Sequence, residues 1–328
     1  VGLKSEQVAA LGSDQIGAIG TVAFAALRSV QLAGLTTASV EGVTSDQIGV
    51  LKSSQIAGIG TGVLGVLNSV QVSGFSTLAM RGLSTQVLGA LSSDAVPGLT
   101  TAQMVVLTSG QLSGLTTETL TSFETADLAV LGSGQTRGLG SAQISALGTE
   151  DVVALTSGAL RGLSSGALAG LTSDQLAAMT SDQVVALTSL QIGALTTTAL
   201  VGLESVDVRA LTSAQVVGLK SEQVAALGSD QIGALSTSAI AKLSTRQIAS
   251  LSSDNILGLS SDQITALSST QVIGLETLDI QQISSNQLVG LTTSAIRGLT
   301  TIALSSLTTQ AISGIQTGQL RALTTIQI

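Results

Sequence analysis

The chain repeats one eight-residue phrase, typified by Leu-Thr-Ser-Asp-Gln-Ile-x-Ala, from one end to the other without an insertion or a deletion. A period this short and unbroken excludes an irregular globular core. Each octad must be one structural unit, too small to be stable alone and held by stacking on its neighbours. Lettered a to h from Leu3, position a is Leu in 33 of 41 copies and apolar in the others. Position c is Ser or Thr in every copy, f is apolar in all but one (Thr136), and h is mostly Gly or Ala. No linker or hinge interrupts the register, so residues 1–328 read as a single continuous array and as an interior segment of a longer protein.

Period and charge placement together choose between helix and strand. In a strand, a and f are five apart and point to opposite faces. In a helix, f and the next a are three apart and share one. Twelve of the 20 acids sit at d, among them Glu6, Asp14, Asp174 and Asp230. Six of the eight Arg sit at g: Arg81, Arg137, Arg161, Arg209, Arg297 and Arg321. Acids early and cations late suit the macrodipole of a short helix and would do nothing for a strand.

The spacing therefore predicts an all-α solenoid of very short helices, one per octad, each about six residues from d to a and followed by a two-residue turn. The Ser or Thr at c is expected as the N-cap, as at Ser5, Ser13, Thr21, Ser173, Ser181 and Ser189. Gly at b, as in Gly12 and Gly228, is expected past the helix end with positive φ. The side chains at a and f form the expected core, as in Leu3, Val8, Leu11, Ile16, Leu171 and Leu176, and a small h lets backbones approach.

Isolated helices shorter than roughly 12–15 residues are marginal in water, so stacking must hold these. A cap contributes about 1 kcal/mol per octad. Each buried Leu, Ile or Val contributes roughly 1.5–3 kcal/mol before entropy. Pro97, at g inside a predicted helix, is expected to cause a local defect. The competing architecture is a β-solenoid, a parallel β-helix with ladders of Ser/Thr at b and c, Gln at e and Val or Ile at f.

Composition narrows the function. Trp, Tyr, His and Cys are absent and aromatic residues make up 1%. General acid–base or nucleophilic catalysis lacks its usual side chains, so no enzyme, cofactor or small-molecule substrate is expected. Twelve cations against 20 acids give a net charge of −8, which argues against nucleic acid as a partner. No apolar run approaches a membrane span.

Three features leave candidates for polar chemistry. Octads with Glu at b and Asp at e offer weak Ca²⁺ candidates: Glu124 with Asp127, Glu204 with Asp207, Glu276 with Asp279. Gln fills e in 22 copies, either bridging adjacent coils through its amide or serving as an exposed helix former. Thr-Thr pairs at b and c, as in residues 35–37 and 195–197, are like the arrays of ice-binding solenoids, but b also accepts Lys, Arg, Glu and Gly.

These phrases, "LTSDQIxAL" and "LTTAQIxAL", resemble the octapeptide arrays of very long bacterial proteins described as secreted or surface-attached adhesins or haem-utilisation proteins. The resemblance implies an extracellular or cell-surface location. Its haem role lacks His, Cys and Tyr ligands here, and Met80, Met104 and Met179 are isolated.

The function expected is structural: a rod, filament, sheath or matrix fibre whose partner is itself, as homopolymer or lateral bundle. An adhesin recognising a sugar, mineral or ice surface is the alternative. Residues 2–18 recur at 218–234, as block duplication would leave them. A mean hydropathy of +0.55 favours side-to-side packing.

Overall fold

A computed structural model of the chain describes residues 2–328. Among them are 38 α-helices of four to six residues, two 3-10 helices and no strand. Forty octads thus carry one helical element each, and the last ends in a turn. The chain is an all-α solenoid, and the β-solenoid alternative falls.

The helix boundaries correct the expected ones. Each α-helix begins at c and ends before a, as in Ser221–Ala226. The following a residue is extended: Leu227 has φ −65° and ψ 141°, and its N–H still reaches the Val224 carbonyl at 3.3 Å. Residues a and b therefore form the connector.

Ser5, Ser13, Thr21, Ser173, Ser181 and Ser189 are consequently not N-caps but first helical residues. The cap is b. Thr212 has ψ 156°, its carbonyl accepts the Val216 N–H at 3.1 Å, and its hydroxyl accepts the Gln215 N–H at 3.3 Å. The Gln at e lies three residues beyond b, the spacing that a capping box requires. Gly at b is corrected for the same reason. Gly12 (φ −77°, ψ 169°) and Gly228 (φ −74°, ψ 165°) are extended N-cap residues, and no described residue has positive φ.

The core is built from a and f. Val8, Ile16, Leu171 and Leu176 are buried. Leu3 departs from the expected core at 39% exposed, and Leu11 is half-buried. The one polar residue at f, Thr136, is fully buried and donates its hydroxyl to the Ala159 carbonyl at 2.6 Å.

Helices pack on the helix three octads further along, so three octads complete a turn and residues 24 apart in sequence lie on one face. Contacts divide the chain into two compact units, Val1–Gly170 and Leu171–Ile328. In both, the small h residue of one coil lies on the c residue of the coil before. A Cβ built on Gly274 would stand 2.6 Å from the Thr245 carbonyl oxygen, and one on Gly290 would stand 2.6 Å from that of Ser261. The hydroxyl residue at c is thus a small residue under a crossing backbone.

Pro97 is accommodated in the 3-10 helix Val96–Gly98, the local defect expected of it. Ile296–Gly298 takes the same form with Arg297 in the proline's place. Nothing in that octad's sequence explains why.

Candidate functional site

The most elaborate polar arrangement is a ladder at position e. A helix leaves its first N–H groups and last carbonyls without internal partners, and with helices of four to six residues such groups occur in every octad. The e glutamines serve both ends. Gln215, 3% exposed, accepts the Thr212 N–H on its Oε1 at 3.0 Å. Its Nε2 donates to the Val184 carbonyl at 3.0 Å and the Leu187 carbonyl at 2.8 Å, on the coil before.

One amide therefore closes the first turn of its own helix and holds the end of a neighbour. Gln103, Gln263 and Gln287 do the same, always across 28 and 31 residues. The b side chain is not needed for the first half of this clasp, since the Lys220 N–H reaches Gln223 Oε1 at 2.7 Å. Asn255, one methylene shorter, accepts the Ser252 N–H and donates to the Leu227 carbonyl at 2.6 Å. Of the two readings of Gln at e, the bridge between coils is the one realised.

The acidic octads place a carboxylate in the same slot. Asp127, Asp207 and Asp279 are buried, whereas their partners Glu124, Glu204 and Glu276 are exposed. Asp279 accepts the Glu276 N–H at 3.0 Å, and Ser253 of the preceding coil also bonds its carboxylate. Asp207 accepts the Ser181 hydroxyl at 2.6 Å.

Burial pushes the Asp127 and Asp279 carboxyls above the ordinary value of 3.8; the bond from the b N–H opposes the shift, and the b glutamate adds to it. The three Glu/Asp pairs lie in octads that do not stack on one another. Among the described residues no group of three or more carboxylates converges as a metal site would require.

In the Thr-Thr octads the b hydroxyl is engaged in capping, as Thr196 is by the Ala199 N–H at 3.0 Å. An apolar void lined by Phe24, Leu64 and Phe75 measures about 10 Å³, room for one water at most and with no polar group to hold it. Larger spaces are open grooves between coils. Arg28 and Lys52 flank one of about 520 Å³, and Lys4 and Arg28 flank its neighbour of about 360 Å³. Among the described residues no helix is long and apolar enough to cross a membrane.

Comparison with known families matches the ALTTAQ repeat at residues 24–61, 120–157, 157–189, 200–237 and 240–277, together more than half of the chain. No curated protein matches it.

Proposed function

The chain belongs to the ALTTAQ repeat family, and from that premise we propose that it is a non-catalytic structural element, a rod or filament segment whose working property is cohesion along its length and between copies. One observation carries this reading: the buried polar side chains at e are spent on joining one coil to the next, as Gln263 joins its helix to the carbonyls of Ile232 and Leu235. An active site keeps polar groups free to meet a substrate, and the clasps do the opposite.

An extracellular or cell-surface matrix fibre is the setting we propose for such a rod. The resemblance to long bacterial surface arrays supports it, as does a core free of the thiols and imidazoles that oxidants and metals attack. Negative-stain electron microscopy of the purified chain, with sedimentation over a concentration series, is the test. The reading expects elongated particles that associate as concentration rises. Monodisperse, compact particles at high concentration would overturn it, and so would steady turnover of a substrate by purified material.

A further inference from the structure

Because three octads make one turn, charges carried in every third octad rise up one face of a unit as a ladder whose rungs are one coil apart. In the first unit, four successive coils of one face each present an exposed cation: Lys4, Arg28 and Lys52 at b, then Arg81 at g. The one acid among them is Glu6, and the next octad on that face, residues 99–106, has no charge. In the second unit, four successive coils of one face each present an exposed acid: Glu204 and Glu276 at b, Asp230 and Asp254 at d. Arg209 is the one cation in that strip, and Asp182 extends it by one more coil.

We propose that the basic strip of one copy docks on the acidic strip of a second copy, rung against rung, and that this contact drives lateral, staggered association of the chain. The proposal rests on the structural reading above and specifies its interface. Two arguments from the structure support a second copy as the partner.

The first is pitch. In each unit the charges recur once per coil of three octads, so successive cations can face successive acids. A partner with another repeat would fall out of step after one or two rungs. The second is charge balance. A chain of net charge −8 repels its own kind at long range, and the two strips are where that repulsion is locally reversed. The grooves flanked by Lys4, Arg28 and Lys52 leave room between coils for short carboxylate side chains to enter. The two strips are unlike surfaces, so the contact is heterologous and propagates unless it closes on itself.

Sedimentation velocity of the intact chain at low salt tests this, with far-ultraviolet circular dichroism to establish that each variant keeps its helices. Basic-strip reversal (K4E, R28E, K52E and R81E together) and acidic-strip reversal (E204K, D230K, D254K and E276K together) should each raise the concentration for half-association by at least about tenfold, four weak pairs acting together. Mixing the two variants, or combining all eight substitutions in one chain, should restore association. Salt at about 0.5 M, where the Debye length is roughly 4 Å, should dissolve the wild-type assembly.

Assembly that ignores both reversals and salt would overturn the strips while leaving the rod reading intact. Failure of the eightfold variant to regain assembly would overturn the pairing of these two faces. A wild-type chain that stays monomeric yet is retained on an anionic polymer would overturn both readings and give the basic strip a different partner.

Discussion

Two neighbouring octads of the second unit, Leu267–Gly274 and Leu275–Gln282, place different groups at position e. Gln271 donates to the Ile240 and Leu243 carbonyls at 2.9 and 2.8 Å. Asp279, in the same slot one octad later, has no proton to donate when ionised and is bonded instead by Ser253 of the preceding coil. Both octads bury their a and f side chains, Leu267 with Val272 and Leu275 with Ile280, while the slot at e holds an amide in one and a carboxylate in the other. The amide donates to two carbonyls of the coil before, whereas the carboxylate is joined to that coil only as an acceptor and leaves those carbonyls without a side-chain donor.

Four measurements break or sharpen that contrast. The largest effect is expected from Gln215→Leu, which strips donors from the buried Val184 and Leu187 carbonyls and the acceptor from the Thr212 N–H. A loss of about 2–4 kcal/mol in urea unfolding is expected, and a change below 0.5 kcal/mol would reduce the clasp to decoration. Next, Asp279→Gln should stabilise the chain by about 1–2 kcal/mol, since the inserted amide faces the carbonyls of Ile248 and Leu251, 31 and 28 residues earlier as in every other clasp. Destabilisation there would mean that Ser253 suits the carboxylate better than the ladder suits an amide.

Third, Thr212→Ala at b should cost about 1 kcal/mol, and Ser213→Ala at c under half as much. The reverse order would return the cap to c. The smallest effect is on pH. The folded-state values of Asp127 and Asp279 lie above 3.8, so the folded chain binds these protons more tightly than the unfolded chain does. Their contribution is fully present below pH 3.8 and is lost as pH rises through the raised values. Relative to the Asp127→Asn, Asp279→Asn double variant, the wild type should gain stability as pH falls from 7 toward 4, seen as converging thermal midpoints. A wild type that loses ground as pH falls would contradict the burial of these carboxyls.

Much of the architecture was legible in the letters. The spacing of a and f marked the core, and the acids at d and arginines at g marked helix polarity, as Glu222 and Arg209 illustrate. A Ser or Thr that never fails at c points to an N-cap there, one residue later than the structure has it. The c residue instead lies under the crossing h residue, a contact between octads that no local pattern displays.

The signal for the true cap was present in the b-to-e spacing, where Thr212 and Gln215 complete a capping box. The bridging role of Gln was one of two open readings, because a single sequence does not state which coil lies beside which. The number of octads per turn was not legible for the same reason: it depends on how close h can bring two backbones.

That every clasp spans about one coil has a mechanical corollary. Pulled from its ends, such a chain would peel rather than shear, releasing one 24-residue loop at a time and about 80 Å of slack with each. The row of amides would then act as a series of small, independent catches, and tension would be met by stepwise lengthening and re-zipping instead of rupture.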